Sequence, residues 1–279
     1  MVKILHVLGG LNRGGAETLI MNVYRKIDRT KYSFDFLVYN NISYDYEEEV
    51  MNLGGRIFKI KYDSGHIYMF GRKFKELLKG KNFDVIHVHT LLNSGLILRI
   101  AYNNNIRVRI CHSHNTRNSE KKTVLDFTYE LLMKRWIRIY TTDFLACSIQ
   151  AGIYLFGKQL CESKCLIIKN GIDLENFTSF VRENNLSNTK LVLGSIARFS
   201  PVKNHQFMID IMKELHRLNI DTILILVGEG ELKSTILKYA IDHVISDKVT
   251  FTGTINNVGS MLREIDILIM PSLFEGLCC

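Results

Sequence analysis

The stretch "LHVLGGLNRGGAETLI", residues 5–20, sets the fold class expected for this chain of 279 residues. An apolar run ends at Gly9-Gly10, a polar glycine-rich segment follows, and apolar residues at helical spacing begin at Ala16. The pattern predicts a strand, a loop and a helix, and many proteins bind phosphate at such a helix N-terminus. An ordinary tight turn between strand and helix is the alternative interpretation.

The same alternation continues along the chain. Short apolar runs typical of buried parallel strands alternate with segments of helical spacing. In the first half the runs lie at 3–8, 33–39, 84–89, 106–111 and 143–147. A polar stretch at 179–190 interrupts the alternation, which then resumes. We therefore predict an α/β protein with two Rossmann-like, doubly wound parallel-sheet domains, residues 1–180 and 190–279, facing a cleft.

The second domain ends soon after a strand. Residues 266–272, "DILIMPS", are typical of a strand, and only seven residues follow them. A doubly wound sheet needs helices on both faces. Either the chain is a fragment or this half is unusually small, and we expect an incomplete second domain with little or no turnover.

The glycine-rich loop disfavours a dinucleotide as ligand. The glycines at positions 9, 10, 14 and 15 do not follow G-x-G-x-x-G. The second strand ends in Tyr39-Asn40-Asn41, where an acidic residue would be needed to bind the ribose. NAD is therefore a poor candidate for a ligand of this loop.

Charge and cysteine content bear on partners and compartment. Residues 1–150 carry a net charge of +9 and residues 151–279 one of −1. A one-sided positive field favours an anionic partner, and a solvated basic surface is an equal alternative. The six cysteines form no C-x-x-C pair, which indicates a reducing cytosol. No run reaches the roughly 18 apolar residues of a membrane span, so we expect a cytoplasmic protein or one that lies on a membrane surface. We expect no nucleic acid among its partners.

Histidines end two neighbouring predicted strands. His87 and His89 lie in "DVIHVHT", and His112 and His114 lie in "ICHSHNT". Side chains two residues apart on a strand share a face, and ligands bind at the carboxyl ends of such strands. A metal site is one interpretation, although no nearby Asp, Glu or Cys completes it, and a structural role is another. We assign a ligand-facing role to His114.

Three loops of the second half carry charged residues and glycines. Arg198 and Lys203, in "SIARFSPVKNH", offer a planar fork and a point charge to a diphosphate, with a solvated pair as the alternative. Two other loops, "LVGEGEL" and "MPSLFEGL", also follow predicted strands. A carboxylate in the last loop suits sugar hydroxyls, and its glycine with the N–H groups that follow suits phosphate.

Together these motifs resemble glycosyltransferase family 4. The matching segments, in family order, are "GGLNRGGAE", "HSHNT", "NGID", "ARFSPVKNH", "GEGEL" and "PSLFEG", and they cover essentially the whole chain. The likeness is especially close to bacterial exopolysaccharide and capsule transferases. It implies a GT-B fold and a retaining transfer from a nucleotide-diphosphate sugar, a UDP-sugar above all, to a glycan or lipid-linked acceptor.

The resemblance also implies roles for individual residues. It gives a catalytic part to His114, Arg198, Lys203 and Glu275. It assigns donor binding to Gly14, Gly15, Arg198, Lys203, Gly228, Glu229, Glu275 and Gly276. Glu275 would be the first carboxylate of the family's E-x7-E motif, and the second would fall beyond residue 279. Cys278 stands where such enzymes often have proline.

We expect no cofactor and no metal. The sequence contains no Asp-x-Asp pair, which metal-dependent GT-A transferases use to bind a divalent ion under the diphosphate. Arg198 and Lys203 would take the role of that ion. The resemblance implies an oxocarbenium-like transition state, and no residue stands out as a covalent nucleophile.

Two basic segments of the first half are candidates for contact with a membrane surface. "RKFKELLKGK" (72–81) and "KRWIRIY" (134–140) place basic residues beside Phe74, Trp136 and Tyr140. Such helices can lie on an anionic membrane surface, and a solvated helix face is the alternative.

Two functions compete with that of a glycosyltransferase. They are a GT-B-type sugar-nucleotide epimerase and an inactive nucleotide-sugar-binding remnant.

Overall fold

Two separate parallel β-sheets organise the protein in a computed structural model, which describes residues 1–62, 67–116, 123–171, 190–255 and 257–273. The first unit holds the described residues up to 171, and the second holds those of 190–273. The domain boundary predicted near 180–190 falls almost wholly outside the described residues and stays a prediction.

The first unit alternates strands and helices. Its strands are β1 (Val2–Val7), β2 (Tyr32–Val38), β3 (Ile57–Lys59), β4 (Val85–Val88), β5 (Val108–Ser113), β6 (Asp143–Ala146) and β7 (Cys165–Ile167). Its helices are α1 (Gly15–Lys26), α2 (Glu47–Asn52), α3 (Ile67–Lys81), α4 (Ser94–Asn103), α5 (Val124–Tyr140), α6 (Ile149–Phe156) and α7 (Lys158–Lys164). A 3-10 turn, Leu91–Asn93, precedes α4.

The first sheet has the strand order β3-β2-β1-β4-β5-β6-β7, with every neighbouring pair parallel. The order reverses between β1 and β4, which is where ligands bind in open α/β sheets. A hydrophobic cluster on one face includes Leu5, Ile86 and Phe74. A second cluster joins Phe34 and Phe36 of β2 to residues of α1 and α2.

The second unit repeats the design on a smaller scale. Its strands are β8 (Leu191–Ile196), β9 (Thr222–Val227), β10 (Val249–Gly253) and β11 (Ile267–Leu268), in the parallel order β10-β9-β8-β11. Its helices are α8 (His205–Arg217), α9 (Lys233–Asp242) and α10 (Val258–Glu264). Met208, Ile209 and Met212 of α8 pack with Leu224 and Leu226 of β9 in its core.

Local chemistry fixes several helix starts. At α5, the Thr123 hydroxyl accepts from the Asp126 backbone N–H while the Asp126 carboxylate accepts from that of Thr123, forming a capping box. Ser148 caps α6 in the simpler way, by accepting from the backbone N–H of Ala151. Gly157, at φ +87°, separates α6 from α7 in a conformation that favours glycine.

The predicted fold class is confirmed, with additions in the first unit. Each predicted strand and helix is present, with ends shifted by a few residues. The four additional elements are α2, β3, α7 and β7. The two additional strands have three residues each, which is too short for a readable periodicity. Cys111 and Cys147 are both buried.

Candidate donor and sugar site

The loop after β1 leads directly into the start of α1. Gly14 is the N-cap, and no side chain caps the helix there. The first N–H groups of a helix have no acceptor within it, so this end can receive an anion. A Cβ at Gly14 would overlap the Glu17 carboxylate, whereas the only described residue that one at Gly15 would meet is Asn170, whose side chain lies at 3.8 Å. The backbone at Gly15 is therefore open to close approach.

The structure brings a second motif to this loop. The Asn22 side-chain amide on α1 donates to the carbonyl of Gly171 at 3.3 Å. Together with the approach of Asn170 to Gly15, this bond places the start of "NGID" beside the glycine loop. Asn22 and Gly171 are 149 residues apart in sequence, and no sequence motif predicted that these two segments meet.

Five histidines pack together on one face of the first sheet. As predicted, His87 and His89 at the end of β4 lie beside His112 and His114 at the end of β5. His6 of β1 joins them. His6 is paired in register with His87. Since alternate residues share a face, the three strands present their imidazoles in adjacent rows. Phe34 and Phe36 flank His6 on the same face.

Hydrogen bonds link three of these rings in a chain. His6 Nδ1 lies 3.2 Å from His89 Nε2, and His89 Nδ1 lies 2.9 Å from His114 Nε2. Among the described residues, five buried ring nitrogens of the cluster have no hydrogen-bond partner. These are His6 Nε2, His87 Nε2, His112 Nδ1, His112 Nε2 and His114 Nδ1. A buried polar atom without a partner costs about 1–3 kcal/mol.

Burial keeps these rings neutral. It lowers the pKa of His6 to about 3 and that of His114 to about 3, and His112 adds to both effects. Burial also lowers the pKa of His112 to about 4. The pKa values of His87 and His89 lie well below the usual range, first through burial and then through the neighbouring histidines. At neutral pH each ring therefore offers one N–H donor and one lone pair.

In the second unit, the loop after β8 carries Arg198 and Lys203. The Arg198 side chain is exposed, and Lys203 ends the 3-10 turn Pro201–Lys203. Asn204, at φ +53°, directs the chain into α8, and its amide donates to the Pro271 carbonyl at 3.3 Å. The backbone N–H of Leu273 donates to the Val202 carbonyl at 2.8 Å. The predicted "SPVKNH" and "MPSL" loops are thus held together.

Gly228 and Gly230 are packed against the backbone of the Arg198 loop. Gly228 has φ +138°, and a Cβ there would overlap the carbonyl oxygen of Ala197. Gly230 has φ +158°, and a Cβ there would overlap the Phe199 backbone. The Phe199 N–H also donates to the Glu229 carbonyl at 3.0 Å. This packing explains the two glycines without a ligand and makes them supports of the Arg198 loop.

Of the two carboxylates predicted to bind the donor, the structure describes one. The Glu229 side chain forms an ion pair with Lys233, with Oε1 2.5 Å from Nζ. Glu275 and its neighbour Gly276 lie outside the described residues. A donor-binding role for any of these residues stays a prediction.

Comparison with known proteins identifies the family. The family described as Glycosyltransferase Family 4 matches residues 13–176, and the family described as Glycosyl transferases group 1 matches residues 176–279. EpsF of Bacillus subtilis (strain 168), which is named as a glycosyltransferase, is 36% identical over 285 residues. The match covers 99% of this chain and 74% of EpsF. The chain belongs to glycosyltransferase family 4.

One further relative and one solved structure resemble the chain. CapH of Staphylococcus aureus, named as a capsular polysaccharide biosynthesis glycosyltransferase, is 28% identical over 99% of this chain and 77% of CapH. The crystal structure of HepE from Anabaena in complex with UDP-glucose superposes with a TM-score of 0.75 at 16% identity, covering 98% of this chain and 74% of HepE. At that identity the second likeness concerns the fold. The family 4 chain is a glycosyltransferase of GT-B fold, and the epimerase alternative is not supported.

The aromatic residues predicted to contact a membrane are not exposed on the surface of this family 4 protein. Phe74 is fully buried in the core, and Trp136 and Tyr140 are partly buried against it. Helix α5 exposes a different set of apolar residues, Val124, Leu125, Phe127, Leu131, Leu132 and Ile139. None of the described helices combines the length and apolar character needed to cross a bilayer.

Proposed function

We propose that this protein transfers a hexose from a UDP-sugar to a glycan or lipid-linked acceptor, with retention, in the synthesis of an exopolysaccharide or capsule. The observation that carries the proposal is the arrangement around Arg198. Its loop is hydrogen-bonded to the loops after β9 and β11, in the part of the chain that matches the transferase family. The naming of CapH for capsule synthesis and the UDP-glucose complex of HepE support the biological setting and the donor.

Arg198 and Lys203 would bind the donor diphosphate. As UDP departs, negative charge accumulates on its β-phosphate, and cationic donors that are already in place stabilise it. The close packing of Gly228 and Gly230 holds the backbone from which the Arg198 side chain extends. Arginine also offers two parallel N–H donors to a phosphate.

The first unit would supply the remaining contacts of the reaction. Gly14 and Gly15 would present backbone N–H groups of the α1 start to an anion. His114, at the end of β5, would face the donor sugar. In the second unit, Glu229 and the pair Glu275 and Gly276 would bind the donor, with Glu275 orienting the sugar.

The transfer would need no divalent metal. The positive charges of Arg198 and Lys203 would neutralise the diphosphate in place of a metal ion. The reaction would proceed through an oxocarbenium-like transition state, with the leaving diphosphate and the acceptor on the same face of the sugar. Retention is testable by NMR, which distinguishes the anomers of the product.

Donor binding tests the proposal directly. We expect UDP binding, measured by calorimetry, to weaken about 10- to 100-fold in Arg198→Ala and in Lys203→Ala, because a charge-assisted hydrogen bond contributes about 1.5–3 kcal/mol. Arg217→Ala is the matched control, since Arg217 is an exposed arginine of the same unit that pairs with Glu214. Unchanged affinity in both site variants would remove these residues from the donor site. A turnover screen of UDP-, GDP- and ADP-sugars then identifies the donor.

We further propose that α5 mediates reversible contact with an anionic membrane surface, at which a lipid-linked acceptor would be available. Leu125, Leu131 and Leu132 are exposed, and Arg135 and Arg138 are exposed on the same helix. Apolar and basic side chains on one outward helix surface are typical of interfacial helices. The net charge of +9 on residues 1–150 would add a long-range attraction. The protein would then be cytoplasmic and peripheral.

A further inference from the structure

The histidine cluster of the first sheet has a composition that carbohydrate transfer does not require. His89, His112 and His114 each offer a ring nitrogen, and these atoms all lie within 4.8 Å of one another. His112 is 2% exposed, and both of its ring nitrogens lack a partner among the described residues. A ligand shared by the three rings would satisfy one of the two unpartnered nitrogens of His112.

We propose that His89, His112 and His114 form a binding site for one late first-row transition-metal ion of the Zn²⁺ type. Neutral imidazole is a preferred ligand of such ions, and three ligands leave one coordination position open. No carboxylate or thiolate is needed for a site of this class.

The distances fit an ion after a small adjustment. Zn–N bonds of about 2.0–2.1 Å in tetrahedral geometry place two ligand nitrogens about 3.3 Å apart. His89 Nδ1 and His114 Nε2 are now 2.9 Å apart, as a hydrogen-bonded pair. The rings of His112 and His114 have centroids only 4.0 Å apart. Opening the first pair by a few tenths of an ångström and turning His112 would admit the ion.

His6 would act as a positioning residue for this site. With His89 Nδ1 on the metal, the proton of that ring is on Nε2, which lies 3.2 Å from His6 Nδ1. His89 would therefore donate to His6, in the way that metal-bound histidines commonly donate their second N–H to a neighbour. This bond fixes the orientation and tautomer of the His89 ring.

The alternative trio, His6, His87 and His89, also has ligand atoms within 4.8 Å of one another. We favour the His112 trio for two reasons. His6 is 4% exposed and lies between Phe34 and Phe36, which restricts entry of an ion. His114 lies at the carboxyl end of β5 and is partly exposed, so that trio can be reached.

The test of this metal site does not depend on transfer activity. Tag-free protein, stripped with EDTA and dialysed, is titrated with Co²⁺ and monitored by visible absorption, and with Zn²⁺ by calorimetry. We expect one ion per chain and the intense d–d bands of tetrahedral Co²⁺. A wild-type protein that binds neither ion stoichiometrically would overturn the proposal.

Variants then assign the ligands. We expect His112→Asn and His114→Gln to lose the Co²⁺ spectrum, and His6→Asn to weaken Zn²⁺ binding about 10- to 100-fold. His216→Asn, which changes an exposed histidine of the other unit, is the matched control and should bind as wild type. Circular dichroism in EDTA verifies that each variant is folded. If His112→Asn does not fold, His114→Gln decides alone. The assignment would be overturned if His87→Asn lost the Co²⁺ spectrum while the His112 and His114 variants retained it.

Discussion

Replacing Gly228 by alanine is expected to destabilise the second unit severely. Two costs combine at this position. The backbone at φ +138° is rarely adopted by residues with a Cβ, which costs about 1–3 kcal/mol. The new methyl group would also overlap the Ala197 carbonyl, and relieving such an overlap costs typically about 1–3 kcal/mol more.

The sum, about 4 kcal/mol, is a large share of the stability of so small a unit. A domain of fewer than 100 residues has about 5–10 kcal/mol in all, and each kcal/mol shifts Tm by about 4–8 °C. The Arg198 loop packs directly on Gly228, so nucleotide binding should fall together with the stability of the second unit.

Two glycines of the first unit separate the two costs. Gly54 has φ +89° with nothing within 4 Å of a Cβ, so Gly54→Ala should cost only the backbone term, about 1–2 kcal/mol. Gly80 lies in α3, also with open space, and Gly80→Ala should be neutral or stabilising by up to about 1 kcal/mol.

Urea unfolding gives the three free energies, and hydrogen exchange with mass spectrometry locates the change. We expect Gly228→Ala to lose amide protection in peptides from β8 and β9 and to keep it in peptides from β1 and β2. A cost no larger than that of Gly54→Ala would refute the overlap argument.

Three further predictions concern metal, membrane and pH. Transfer from a UDP-sugar should persist in excess EDTA; loss on chelation with recovery in Mn²⁺ would contradict metal-independent transfer. The double variant Leu125→Asp, Leu132→Asp should sediment less with anionic vesicles than wild type, and Leu218→Asp, which changes an exposed leucine of the second unit, should not. Equal sedimentation of all three proteins would count against α5. Burial, and then the Lys203 charge, lower the pKa of His205 from 6.5 to about 4, so the unfolded chain binds the proton more readily. Stability of the second unit should therefore fall as pH drops from 6.5 toward 4, by about 2 kcal/mol at pH 5. His205→Leu should remove this part of the pH dependence in urea unfolding, and an unchanged pH profile would argue against it.

The alternation of strands and helices was readable because buried parallel strands are apolar on both faces. The run around Leu5 and the run around Leu224 both show this, and both form central strands. The edge strands β3 and β7 were not identified, because three residues carry no period. Phe74 was misjudged because a basic helix can turn its aromatic residues inward while its lysines stay in water.

The candidate site was predictable only in part, because its composition depends on which strands are neighbours. His87, His89, His112 and His114 lie in two segments whose ends are recognisable by their paired histidines. His6, in contrast, is a single polar residue inside an apolar strand. Its place beside His87 follows from the pairing of β1 with β4, which are almost 80 residues apart. Gly228 was ambiguous for a different reason, since both a phosphate and a neighbouring backbone require a position without a Cβ.

The chain of rings formed by His6, His89 and His114 has a property that no single histidine possesses. Each neutral ring holds one proton on either nitrogen, so the two hydrogen bonds can run from His6 toward His114 or in the opposite direction. Reversal takes up a proton at one terminal nitrogen, shifts a proton along each hydrogen bond, and releases a proton at the other terminal nitrogen, while every heavy atom stays in place. It exchanges donor and acceptor character at the two terminal nitrogens, His6 Nε2 and His114 Nδ1. A change in the proton position at one end of the row is thereby transmitted across β4 to the other end without any conformational change.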